Sequence, residues 1–255
     1  MRAAQVSERL AAIPEPRMRV ALLAETLRRT APRGAVALLA ELLDRAGDSP
    51  APHRAALDAA LLVLEEEALL GYERRAALYE AAVAAGRGDV ALLLIDATPT
   101  ATGTEKLERE LGKERRLVPG GRSLTLGERK SLARGHSREL LLQLVRDPHP
   151  DVVAVLLDNP HLTEADVLRL ASHRPMLGRS LAVVAAADRW RKRAAVRRAL
   201  VLNPYTPAPL AARLMTTLAD GDLARAAADP ALADRLRAHA AELLANRRAR
   251  RASRV

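Results

Sequence analysis

The run RWRKRAAVRR, Arg189 to Arg198, is where this sequence comes nearest to chemistry. Arg189, Trp190, Arg191, Lys192, Arg193, Arg197 and Arg198 form a candidate polyanion-binding set. Guanidinium forks match phosphate oxygens in pairs, and an indole can stack on a base or on a guanidinium. On a helix, Arg189, Arg193 and Arg197 would follow one another at i, i+4 and i+8 and share a face. The same residues also fit a solvated outer face, with Val196, Ala199 and Leu200 turned to a core and Trp190 filling a gap between helices. Aromatic platforms are scarce, since the chain holds one Trp, three Tyr and no Phe, which counts against single-strand binding.

Other chemistry-bearing residues converge less. His149, His161 and His173 recur every twelve residues. A metal would need them within coordination distance of one point, and a histidine beside a proline corner is common without one. Gly127 to Ser131 (GERKS) lacks the G-x-x-x-x-G-K-[ST] spacing of a phosphate loop, and no G-x-S-x-G occurs. Glu65, Glu66 and Glu67 spread around a helix and read as a solvated face. With no cysteine in the chain, thiol nucleophiles, iron–sulfur clusters and cysteine zinc sites are excluded. The expectation is a protein without catalytic residues, cofactor or metal.

Composition bears on the basic residues. Of 41 Lys and Arg side chains only four are Lys, and Ala, Leu and Arg dominate the chain. Ala, Arg, Gly and Pro have GC-rich codons, so base composition accounts for part of the excess. The charge is nonetheless uneven: residues 1–100 carry 12 basic and 14 acidic side chains, and residues 101–255 carry 29 and 17. Such a balance attracts polyanions and acidic proteins. Residues after Met1 (RAAQVSERLAAIPEP) lack the apolar core of a signal peptide, and no apolar run approaches a membrane span of roughly 18 residues, so a cytoplasmic protein with no membrane partner is expected.

The elements that must position these residues are helices. Apolar spacing is helical nearly throughout, with almost no strand alternation. It predicts helices over 17–29, 32–45, 50–70, 73–85 and 90–97. Ser49-Pro50 supplies a cap and first turn, Gly47, Gly71, Gly86 and Gly88 end helices, and Asp89 is a cap. From Thr98 to Leu126 the pattern fails and an irregular linker is expected. Short helices then resume over 127–134, 137–146, 150–158, 163–173, 178–187, 192–202, 206–218, 221–228 and 231–248. The tail from Arg247 is expected to be a frayed basic extension.

What separates these short helices is a proline after Asn or Asp. Asp147-Pro148, Asn159-Pro160, Asn203-Pro204 and Asp229-Pro230 each impose a hard stop, because the ring opposes helical geometry at the residue before it. Asn and Asp suit the corner because their side chains satisfy its backbone. Thr163 with Asp166 has capping-box spacing, and Thr206 with Pro207 reads as a cap and first helical residue. Val152 to Leu170 and Val196 to Leu214 align on Asn-Pro 44 residues apart, with room for a degenerate corner at Arg174-Pro175.

The second copy, V-x6-N-P-Y-T-P-x-x-L-x-x-x-L, resembles the leucine-rich repeat variant motif, and the first is a looser match. More broadly the chain is similar to HEAT- and armadillo-like repeats. The specific resemblance covers about 140–240. It implies a helical-repeat α-solenoid, expected over 127–246; with the N-terminal helical region over 1–97, the linker over 98–126 and the basic tail over 247–255 read from spacing and composition, the fold expected is all-α. Some leucine-rich repeat variant proteins carry an iron–sulfur cluster on cysteines that this chain lacks. HEAT-like DNA glycosylases work through an aromatic-lined cleft with a carboxylate, which has no counterpart here. The function expected is a scaffold that binds another protein, acidic where it meets 130–250. The alternative is nucleic-acid binding through the C-terminal arginines.

Overall fold

The computed structural model describes residues 3–46, 51–65, 68–95 and 124–253. The cap at Ser49-Pro50, Gly47, Glu66, Glu67, most of the 98–126 linker and Arg254 lie outside the described residues. Described residues form fifteen α-helices and no strand, so the protein is all-α. They run α1 Ala3–Ala12, α2 Pro16–Arg29, α3 Pro32–Ala46, α4 Ala51–Glu65, α5 Tyr72–Ala84 and α6 Gly88–Leu94. After the linker come α7 Leu126–Ala133, α8 Arg138–Leu144, α9 Pro150–Leu157, α10 Glu164–Ser172 and α11 Gly178–Ala186. Last are α12 Ala194–Val201, α13 Ala208–Met215, α14 Asp220–Ala228 and α15 Asp234–Ala252.

The chain makes two compact units. One comprises Met1–Ala97 with Met215–Ala227 and Ala238–Val255; the other comprises Thr98–Leu214 with Ala228–Arg237. In the first unit α1 packs on α3 and α4, α2 on α4, and α3 on α5, around a leucine core including Leu10, Leu23, Leu39, Leu57 and Leu78. Helix α5 ends as its sequence predicts. Gly86 has φ +64°, Arg87 N–H donates to the Ala82 carbonyl at 2.9 Å and Gly86 N–H to Val83 at 3.0 Å, a left-handed glycine closing the last turn. Helix α1 was not among the expected elements. Its apolar positions Val6 and Leu10 are buried, but only one short stripe marks it in the sequence.

The last helix departs from expectation. Residues 247–252 do not fray; they are the final turns of α15. Arg247 is buried, with its guanidinium donating to the Thr216 carbonyl (2.6 Å), the Leu218 carbonyl (2.7 Å) and Asp220 (3.0 Å). Arg250 reaches Asp44 at 2.6 Å and Asp89 at 3.4 Å, where Arg87 also pairs with both carboxylates. Burial pushes the Asp89 carboxyl up, yet the hydrogen bonds and charge of Arg87 and the charge of Arg250 hold it below the ordinary range.

In the second unit, helices pack with partners two places along the chain: α9 lies on α7 and on α11, and α10 on α12. Chain neighbours α7/α8 and α11/α12 also touch. This order follows from the short helices. An eight-residue helix cannot cover its own apolar stripe, so Val152, Val153, Leu156 and Leu157 of α9 are buried against its neighbours.

All four proline dipeptides stand at helix ends, and at three of them the side-chain partners explain the choice of Asn or Asp. At each corner one oxygen accepts the N–H two residues on: Asp147 from His149, Asn159 from His161, Asn203 from Tyr205 and Asp229 from Ala231. At the Asp147, Asn159 and Asn203 corners the remaining atoms reach across the packing. Asn159 Nδ2 donates to the Ala133 and Gly135 carbonyls at 2.8 and 2.7 Å, at the end of α7. Asn203 Nδ2 donates to the Ala171 and His173 carbonyls at 2.8 and 3.0 Å, at the end of α10. Asp147 instead takes Arg129 Nη1 at 2.6 and 2.7 Å. An amide is needed where the neighbour offers carbonyls, and a carboxylate where it offers a guanidinium. Arg174-Pro175, the expected degenerate corner, is a turn between α10 and α11 with a cis peptide bond.

Cap expectations divide. Thr163 and Asp166 form the capping box. Thr206 instead turns its hydroxyl back to the Leu200 carbonyl at 2.6 Å, because the residue four places beyond Leu200 is Pro204, which has no N–H to give it, and α13 starts at Ala208. Asp89 accepts Val90 N–H but sits inside α6, which begins at Gly88. Gly178 begins α11 against the Asn203 corner: a Cβ there would stand 3.2 Å from the Tyr205 carbonyl and the Pro207 ring.

Candidate functional site

The concavity with the clearest chemical character lies between α8 and α10, with a volume of about 670 Å³. It is open to solvent and lined by Leu142, Val145 and Arg146 from α8 and the turn after it, and by Arg169, Ser172, His173 and Arg174 from the end of α10 and the corner beyond. Helical periodicity makes the two walls. Positions 142, 145 and 146 fall on one face of the first element, and 169, 172 and 173 on one face of the second. Leu144 and Leu170 of the same helices point inward and are buried. Leu142 and Val145 give an apolar floor, and three arginines ring it.

None of the lining residues is a carboxylate. The Arg146 guanidinium makes no hydrogen bond or ion pair with any described residue, and the side chain is exposed. Arg169 is 62% exposed and lies 3.6 Å from Asp166. Arg174 donates to the Leu202 carbonyl. Asp166 itself is fully buried and already held by Arg138 at 2.5 and 2.6 Å. Arg138, against the cost of burial and aided by the Thr163 hydroxyl and N–H, holds the Asp166 carboxyl down to about 2. Asp166 therefore stays charged while belonging to Arg138, and it neutralises Arg169 only weakly.

The residues singled out as a polyanion set do not form one surface. Helix α12 begins at Ala194, so Arg189 to Arg193 precede it in a turn and the expected i, i+4, i+8 face is absent. Trp190 is 3% exposed, and its Nε1 donates to the Leu157 carbonyl at 2.9 Å. The Arg189 guanidinium stacks 4.5 Å above the Trp190 ring and donates to the Asn159 carbonyl at 2.9 Å and the Leu162 carbonyl at 3.1 Å. Arg197 is buried and donates to the Arg191 carbonyl at 3.3 Å. Arg191 pairs with Asp188 at 2.7 Å and Arg193 lies 3.6 Å from Glu164. Arg198 is half-buried and has a partner. Lys192, exposed, has neither a hydrogen bond nor an ion pair with any described residue. Val196 and Leu200 lie in the core and Trp190 packs with them, as the outer-face reading had it, but hydrophobic spacing could not show that Arg197 is buried too.

Several arginines follow a pattern that sequence did not reveal: they cap the carbonyl ends of other helices. Arg19 donates to the Leu10 and Ile13 carbonyls at the end of α1, and Arg74 to those of Leu27 and Thr30 at the end of α2. Arg174, Arg189 and Arg247 do the same at the ends of α12, α9 and α13. Orphan carbonyls at a helix C-terminus carry partial negative charge, and one guanidinium can satisfy two of them.

The histidines separate. His149 Nδ1 accepts Asp151 N–H at the start of α9, His161 lies at the Asn159 corner, and His173 lines the groove. Among the described residues no three His, Asp or Glu side chains converge as metal ligands. GERKS lies within α7, whose capping box joins Thr125 and Glu128, so it is not a loop. Among the described residues no helix is long and apolar enough to cross a membrane. Comparison of the chain with protein-family models, curated proteins and solved structures gives no match.

Proposed function

We propose that this protein is a non-catalytic helical-repeat scaffold, of the leucine-rich repeat variant or HEAT-like kind over 127–246, and that its α8/α10 groove binds an acidic segment of a partner protein. The supporting observation is the groove's lining: an apolar floor of Leu142 and Val145 ringed by Arg146, Arg169 and Arg174, with no carboxylate among its walls. An apolar floor suits side chains such as Leu or Met, and rim arginines of which only Arg169 has a carboxylate nearby, a distant and already engaged one, suit Asp and Glu on either side of them. The packing of helices two places apart supports a repeat array, in which function resides in the surface and not in the fold.

The test is fluorescence anisotropy of the full chain with a labelled peptide of alternating Leu and Glu, against the same peptide with Lys for Glu. The acidic peptide is expected to bind, with affinity falling about tenfold or more in Arg146→Glu with Arg169→Glu, and falling as salt rises. Equal binding of both peptides, or indifference to the double substitution, overturns the reading. Duplex DNA is the competing ligand, favoured by the excess of basic residues in 101–255. Binding through phosphates would fall with log salt at a slope of about −0.9 per phosphate neutralised. Arg189, Arg197 and Arg247 are held within the fold, so that load would fall on exposed side chains such as Lys192 and Arg248.

A further inference from the structure

Helix α5 is apolar on two faces. Leu78 and Ala82 face inward and are buried. On the other side stand Tyr72 (76% exposed), Tyr79 (38%) and Val83 (56%), with half-buried Ala76 between them. Steps of four, three and four residues place all four within an arc of about 60° at 100° per residue. This is the a/d spacing of a coiled-coil seam, on a helix whose other side is already covered. Arg75 and Glu80 flank the seam on opposite edges, and Glu73 lies on the same edge as Glu80.

We propose that this stripe is a homodimerisation surface on which α5 pairs in parallel with α5 of a second copy. The flanking charges select both occupant and direction. In a parallel pair, a residue preceding the seam faces the residue five places further along on the other helix. Arg75 of each copy then meets Glu80 of the other, giving two ion pairs by symmetry. In an antiparallel pair each edge faces itself, and Glu73 and Glu80 of both copies would crowd together. Tyr72 and Tyr79 supply the amphipathic anchors that interfaces favour. Two helical turns bury less than about 1,200 Å², which places the contact among transient interfaces.

Sedimentation velocity of the full chain from about 10 µM to 1 mM spans the affinities of such an interface. A concentration-dependent dimer is expected, lost in Tyr79→Glu with the helical circular dichroism unchanged. Arg75 also has an interaction within its own chain, so Glu80→Arg is the cleaner charge variant. It should weaken dimerisation about three- to tenfold by setting Arg against Arg, and Arg75→Glu in the same chain should restore it. Because the chain has no cysteine, Ala76→Cys gives one thiol at a seam position that meets its own copy only in the parallel pair. Mild oxidation should link it. A monomer at every concentration, a dimer indifferent to Tyr79→Glu, or a dimer that neither links through residue 76 nor responds to the charge exchange overturns the proposal. None of these outcomes depends on the groove.

Discussion

A single amide fixes the corner at Asn203: its oxygen holds the local turn while its Nδ2 satisfies two carbonyls at the end of α10. Asn203→Ala leaves those carbonyls unpaired in a buried site and should cost about 2–4 kcal/mol. Trp190, the single tryptophan and a buried one in the same unit, reports this in urea titrations by fluorescence. Asn203→Asp should be at least as harmful at neutral pH, because it sets a carboxylate against two carbonyl oxygens. Its penalty should shrink as the medium is acidified and the carboxyl protonates. Asp166 behaves oppositely. Its carboxyl is ordinarily near 3.8 and is held to about 2 in the fold, so its contribution is fully present above pH 3.8 and is lost as pH falls toward 2. Asp166→Asn should remove that part of the acid dependence, as measured by denaturant midpoints between pH 5 and 2. The position and spacing of these residues were legible from sequence. Their cross-helix partners were not, because Ala133, Ala171 and His173 contribute carbonyl oxygens, which every residue carries and no side chain advertises.

Helix α15 shows how an element can be misjudged when charge is read without its partners. NRRARRASRV carries no acid, and an isolated helix with so many like charges at its end would fray. It persists because Asp220, Asp44 and Asp89, together with the Thr216 and Leu218 carbonyls, receive Arg247, Arg250 and Arg251. Arg247→Ala should therefore destabilise by about 2–4 kcal/mol, since buried acceptors lose their donor. By contrast Arg248→Ala, at an exposed position, should change stability by less than about 0.5 kcal/mol. Thermal melts by circular dichroism compare the two. If both substitutions were silent, the tail would be a loose extension after all.

For the molecule as a whole, electrostatics sets the response to acid. The formal charge is +10 at pH 7, and protonating carboxylates leaves 41 basic side chains and six histidines uncompensated. Self-repulsion then adds to the loss of pairs such as Arg138–Asp166 and Arg87–Asp89. Acid unfolding should shift to lower pH in about 0.5 M salt, where repulsion is screened to a few ångströms. Followed by far-ultraviolet circular dichroism, an unchanged midpoint would assign acid lability to the specific pairs alone.

Sequence by itself determined that the described chain is helical and, to within a few residues, where the nine helices of its later part lie. Apolar periodicity and proline stereochemistry are local properties, written within a few residues of where they act. The tertiary structure decided which arginines face water. A guanidinium looks the same in sequence whether it meets solvent or an orphan carbonyl thirty residues away. The same holds for the groove of Leu142, Val145, Arg146, Arg169, His173 and Arg174, which no single helix encodes. Its two walls acquire a common function only when α8 and α10 line one concavity.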